Sequence, residues 1–288
     1  MNTKQLPTNA LLARIGLALL FVALGSLIII VFSQYRPLLS APSDLLGRLL
    51  LLGALLAAAL VARRSLSLQP VWRLLFGLFV LLAAVSLDWW VARFILQPLD
   101  ALPATPAGIA LEKLKTAVIV AATVISLTRL SGDPLDALYI QRGHLKQGLT
   151  TGLIAFAIAA ATAVPLSQLF FAGAPVTLAQ VLQWAPWILI AVFSNAANEE
   201  LLFRGLFLRK LEPFFGKALS NALVVLVFTG LHLGVTYTRD QLLFLAVVVP
   251  LALAWGAIMQ KTEGIWGSIL FHAGMDIPIF LSIFSTRF

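Results

Sequence analysis

The sequence contains no cysteine. Disulfides, thiolate metal sites and a cysteine nucleophile are therefore excluded, while the compartment is left open. Charge is the second scarcity. Asp, Glu, Lys and Arg make up 11% of the 288 residues, against about 25% in a soluble globular domain. With 60% hydrophobic residues as well, the chain cannot cover itself with polar surface in water. Over most of its area its solvent must be lipid. Acids are rarer than bases, 12 against 20, which leaves a net charge of +8. No basic run is interleaved with aromatics, so this excess reads as loops facing anionic headgroups, and nucleic acid is not an expected partner. A cleavable signal peptide is missing too. The first apolar stretch is too long for an h-region and lacks a small-x-small cleavage site, so it reads as a retained span.

What the chain has in abundance is apolar stretches of spanning length, broken by short charged or Pro/Gly segments. They fall near Ala10–Phe32, Leu45–Ala62, Val71–Leu96, Lys115–Leu130, Thr150–Ala172, Leu178–Leu208, Ala218–Leu233, Leu242–Gln260 and Ile265–Phe284. The pattern predicts an all-α, polytopic transmembrane helix bundle of about 8–9 spans. Glu112, Lys113 and Lys115 interrupt the stretch Gly108–Leu130, and Ser131–Gly148 is polar enough for a loop or an interfacial helix. With the N-terminus inside, the inner loops hold Lys4, Arg63, Arg64, Arg129, Arg142, Lys146, Arg209, Lys210, Lys217 and Lys261. The outer segments hold Arg36, Arg93, Lys113, Lys115, Arg239 and Arg287. This bias predicts a multi-pass protein of the cell (plasma or inner) membrane with a cytoplasmic N-terminus, with Lys113, Lys115 and Arg287 on the disfavoured side.

Histidine is scarce, three in all, yet His232 and His272 lie inside apolar spans, with Asp276 four residues after His272. Glu199 and Glu200 follow the strongly apolar segment Trp184–Phe193. Ionisable groups at such depth are costly unless paired or hydrated, which makes each a functional candidate. Residues four apart on a helix share a face. Glu200 can thus pair with Arg204, Asn195 shares a face with Glu199, Asp276 can bind or orient His272, and Phe228 can wall His232. With Lys210, Lys217 and Glu263 marking the inner boundary, a rise of 1.5 Å per residue puts Glu199, His232 and His272 about 16, 22 and 14 Å deep.

A carboxylate with two imidazoles, lacking a Ser or Cys in a nucleophile context, points to activated water. The carboxylate takes a proton from water while an imidazole positions it, and a second imidazole stabilises the oxyanion. The same set, Glu199, His232 and His272, could instead ligate a divalent metal such as zinc, and residue types alone leave both mechanisms open. There is no His-Glu-x-x-His helix, no Gly-x-Ser-x-Gly context and no pair of intramembrane aspartates of the Gly-x-Gly-Asp type. Each polar group also has a structural reading when taken singly. Glu199-Glu200 could be a helix end among headgroups, His232 an interhelical hydrogen bond, and His272 with Asp276 a relay. Gly230, Gly234, Gly256, Gly267 and Gly274 suit close helix packing, and Pro165, Pro250 and Pro278 suit kinks. Trp89, Trp90, Trp184, Trp187 and Trp266 read as interface anchors or packing, and Arg14, Arg48 and Arg73 as snorkelling side chains.

Three segments together carry a resemblance. Glu199-Glu200-Leu201-Leu202-Phe203-Arg204 resembles the Glu-Glu-x-x-x-Arg motif of the CPBP family, which comprises the CAAX prenyl endopeptidases and bacteriocin-processing or immunity enzymes of the Abi family. Phe228-Thr229-Gly230-Leu231-His232 resembles its Phe-x-x-x-His motif, and His272-Ala273-Gly274-Met275-Asp276 its His-x-x-x-Asn/Asp motif. The likeness covers roughly residues 150–284, so 149–288 reads as a CPBP-like catalytic helix core and 1–148 as N-terminal helices and a loop without a motif. It implies an intramembrane endopeptidase whose site opens toward the cytosolic side and whose partners are membrane lipid and a membrane-associated peptide or protein. By the same resemblance Glu199 is the general base, His232 holds the water, and His272 with Asp276 forms the oxyanion site; Glu200, Arg204 and Phe228 are supporting. CAAX-type members have Asn where this chain has Asp276, and an ionised Asp cannot donate to an oxyanion. That departure puts a CAAX substrate in doubt. Family habit favours glutamate and water over a metal. Two other classes use the same residues. A proton-coupled transporter would show inverted repeats, and none is visible. A catalytically silent scaffold or immunity protein would keep the motifs without the reaction.

Overall fold

The computed structural model describes residues 10–32, 38–97 and 104–288. They form α1 (Ala10–Val31), α2 (Ala41–Arg64), α3 (Trp72–Val91), α4 (Pro106–Leu130), α5 (Leu145–Ala161), α6 (Ala163–Leu169), α7 (Leu178–Glu199), α8 (Leu206–Leu231), α9 (Gln241–Thr262) and α10 (Trp266–Arg287). Helix starts follow local chemistry. Thr105 accepts from the Gly108 N–H at 3.0 Å, with Pro106 in the first turn, where its missing N–H costs nothing. Thr177 and Gln180 form a reciprocal capping box at the head of α7. The Asp240 carboxylate accepts from the Leu242 and Leu243 N–H groups to start α9.

Among the described residues, six helical units are long and apolar enough to cross a membrane, or seven if the bent pair α5–α6 counts as one span. This is slightly below the expected 8–9, and two stretches account for the difference. The predicted fourth span belongs to α4, which carries Glu112, Lys113, Lys115 and Arg129 and is too charged to qualify. The predicted spans Leu178–Leu208 and Ala218–Leu233 run together as a single unit of 54 residues. At 1.5 Å per residue a straight helix of that length would measure about 80 Å, far more than a bilayer core. It folds back instead. Gly216 takes φ 70°, ψ 173°, which few residues with a Cβ tolerate, and beyond it Phe228 meets Phe203 edge-on at 5.1 Å between centroids. The α5–α6 bend of 63° falls at Thr162, just before Pro165.

Packing runs across residue 148. Phe21 of α1 lies edge-on to Phe207 of α8 at 5.0 Å, and one core cluster takes residues from α1, α3, α4, α8 and α9. The α5–α10 contact depends on glycine. A Cβ on Gly152 would lie 2.7 Å from the Gly267 carbonyl oxygen, and one on Gly274 would lie 2.7 Å from the Phe156 Cα. Small residues at these points let two backbones touch. Gly234 has no such role; it sits at φ 76° in the turn after α8.

The helix ends sort onto two faces. One gathers the loop 131–144, the Gly216 fold-back and the α9–α10 turn, joined by Arg73–Asp133, Tyr139–Glu212 and Lys217–Gln260. Burial first, and then the Glu212 carboxylate, push the Tyr139 hydroxyl well above its ordinary pKa, so it stays a hydrogen-bond donor. At the opposite face Phe171 bridges Thr238, and the Ala174 N–H donates to Ser285.

Candidate active site

Glu199 ends α7, and from Glu200 to Gly205 the backbone winds as a wide π-helical turn whose six residues are all buried. Such turns recur at functional sites because they re-aim side chains. Neighbours on a helix point about 100° apart, and the two glutamates accordingly face different surroundings. Glu200 points into the protein. It accepts from Arg204 Nη1 at 2.8 Å, from Ser268 Oγ, and from His272 Nδ1 at 2.8 Å. Arg204 is wholly buried, with its guanidinium 4.1 Å from the Phe228 ring centroid and 5.3 Å from that of Trp255. Glu199 points the other way, toward a cavity. Its Oε1 accepts from Asn195 Nδ2 at 3.1 Å, and its buried Oε2 has no hydrogen-bond partner among the described residues.

His272 joins the two environments. A carboxylate oxygen can only accept, so Nδ1 donates to Glu200, and Nε2 is turned toward Glu199 Oε2 at 3.5 Å and Asp276 Oδ1 at 3.7 Å. Trp255 stacks flat on the ring, at 3.8 Å and 7°. Asp276 accepts from Asn195 Nδ2 at 3.0 Å, so one amide clamps both carboxylates. The Asn195 Oδ1 in turn accepts from Lys113 Nζ of α4 at 3.0 Å. His232 caps the end of α8. Its Nδ1 lies 3.1 Å from the Phe228 carbonyl, a bond within its own helix that leaves Nε2 as an acceptor when the ring is neutral. The Phe228 ring lies 4.5 Å from His232 and 6.1 Å from His272, between the two histidines.

Glu199, His232 and Asp276 line a cavity of about 410 Å³, together with Asn195 and Lys113. A second, mainly apolar cavity of about 240 Å³, walled by Phe171, Phe244 and Trp255, lies against His232, His272 and Asp276. The larger cavity is also lined by the exposed residues Glu112, Thr236 and Arg287, so it reaches the surface at the Phe171–Thr238 face. That face lies opposite Tyr139, Glu212 and Lys217. Among the described residues no set of three or more His, Asp or Glu side chains is arranged to hold a metal ion, Glu199, His232 and His272 included.

The sequence reading did not single out four of these residues as part of the site. Asn195 had a signal in its spacing from Glu199. Ser268, four residues before His272, had the same kind of signal. Lys113 read as a loop charge, and nothing near Trp255 in the sequence announces a stack with His272. Arg48, expected to snorkel, is buried, donating to Asp44, Ser86 and the Phe32 carbonyl.

Residues 181–278, about a third of the chain, match the family model described as type II CAAX prenyl endopeptidase Rce1-like. No curated protein and no solved structure matches the chain. Glu199, Glu200, Arg204, Phe228, His232, His272 and Asp276 all fall inside the matched stretch, so over that part of its length the chain is similar to the type II CAAX prenyl endopeptidases.

Proposed function

We propose that the protein is an intramembrane endopeptidase that cuts a membrane-associated peptide or protein with water activated by Glu199. The observation that carries this reading is the uncommitted Glu199 Oε2, buried at the cavity and facing His272 Nε2 at 3.5 Å. A buried acceptor without a donor is costly, and a water molecule satisfies it. In the proposed step the water oxygen attacks the substrate carbonyl carbon, and Glu199 takes the water proton. His272, as an imidazolium with Nδ1 held by Glu200, offers its Nε2–H to the oxyanion, and the His232 Nε2 accepts from the water. The C–N bond then breaks, and the proton passes from Glu199 to the departing amine.

The other residues act on these. Glu200 holds the His272 ring through Nδ1, and Arg204 balances the Glu200 charge. Asp276 accepts from Asn195, and this supports a positioning role for it instead of donation to the oxyanion.

The test is to compare new polypeptide termini in membranes holding the wild type with those holding Glu199→Gln or His232→Ala. The expected result is loss of the termini in both variants, by about 100-fold or more for Glu199→Gln, at unchanged expression. Undiminished cleavage in both would sink the reading.

A further inference from the structure

The direction of the cavity narrows the substrate class. We infer that the scissile segment reaches the site from the extracytoplasmic side, so that the substrates are exported polypeptides or the outer portions of membrane proteins. This rests on the protease reading above.

The first observation is the position of the mouth. Glu112, Thr236 and Arg287, all exposed, line the cavity that holds Glu199, His232 and Asp276. The second is the distribution of exposed basic residues. Arg63, Arg64, Arg142, Lys146, Lys217 and Lys261 are exposed on the opposite face, with the α9–α10 turn and the Gly216 fold-back. Lys and Arg in short loops stay on the cytoplasmic side.

The sequence alone set Lys113 and Lys115 against this assignment. The structure removes both from the loop count. Lys113 is half-buried and donates to Asn195, and Lys115 is half-buried and paired with Asp88 at 2.8 Å. They are fittings of the bundle, where orientation is not decided. Exposed bases at the cavity face reduce to Arg93, Arg239 and Arg287 among the described residues. The basic face is thus the cytoplasmic one, and the site opens away from it.

The chain has no cysteine of its own, so each introduced thiol is unique. Thr236→Cys at the mouth and Arg142→Cys on the basic face would be treated with a membrane-impermeant maleimide in right-side-out vesicles. The expected result is labelling of Thr236→Cys at least tenfold faster than Arg142→Cys, with the order reversed in inside-out vesicles. The opposite order in each preparation would overturn the inference and leave the protease reading standing. A second readout addresses the substrates. Polypeptide termini present with the wild type and missing with Glu199→Gln should map to exported or outer segments, and termini confined to cytoplasmic segments would overturn the inference. Thr236→Cys labelled from outside, with no termini that depend on Glu199, would uphold the orientation, remove the protease reading and take the substrate class with it.

Discussion

Two acid–arginine pairs in this protein are built alike and do different things. Asp44 and Arg48 on α2, and Glu200 and Arg204 in the π-helical turn, are each four residues apart, paired at 2.9 and 2.8 Å, and buried. Both arginines lie against aromatic rings, Arg48 at 4.7 Å from Trp89 and Arg204 at 4.1 Å from Phe228. The difference lies in what the acid does next. Arg48 spends its remaining donors on Ser86 and the Phe32 carbonyl, so that pair ends in a tie between α1, α2 and α3. Glu200 accepts from Ser268 and from His272, whose far nitrogen faces Glu199 and Asp276. A buried ion pair is therefore no sign of a site by itself. What marks the second pair is that its hydrogen bonds lead to a ring that borders open space.

Breaking each pair separates the two roles. Arg204→Met leaves Glu200 buried without its partner, and the expected cost is about 3–5 kcal/mol, read as a lower unfolding midpoint in detergent, with cleavage at background. Arg48→Met should also lower the midpoint, but cleavage per folded molecule should stay within about twofold of the wild type. Equal loss of activity in the two variants at equal folded fraction would erase the distinction. A finer probe is Asn195→Ala, which removes the clamp on both carboxylates. It should slow turnover by about 10–100-fold, with little change in KM and no change in midpoint beyond about 1–2 kcal/mol. Lys113→Met removes the donor to the Asn195 Oδ1 and should slow turnover by about 3–10-fold. Among the variants at the site, the smallest effect is expected for Asp276→Asn. The new amide can still accept from Asn195, so turnover should stay within about threefold. A drop to background in that variant would give Asp276 the charge-dependent role denied to it here.

The residues of the candidate site could be picked out because they come in local parts. Glu200 with Arg204, Phe228 with His232, and His272 with Asp276 each lie one helical turn apart, and a turn is what a sequence displays. The joints between these parts could not be. His272 bonds Glu200 across 72 residues, and Lys113 bonds Asn195 across 82. No periodicity carries such pairings. The fold class was plain from apolar run length, and the break between Leu208 and Ala218 fell where Gly216 turns the chain back; the fourth span was not legible, because run length does not weigh the charges α4 carries among its apolar residues. The end at which the cavity opens was not legible at all. Loop charge assigns sides to helix ends, whereas the end at which a cavity opens depends on which side chains fill the bundle at each level.

The contact between α5 and α10 bears on the order in which the protein is made. Glu199, Glu200, Arg204 and His232 all precede α9, while His272 and Asp276 arrive on α10, which reaches its place by laying Gly267 and Gly274 against Gly152 and Phe156. A chain that ends at Thr262 carries Glu199 and one imidazole but lacks the ring that Glu200 holds. On the reading proposed above such a chain has no working site, and activity depends on the last helix, the one that packs through glycine.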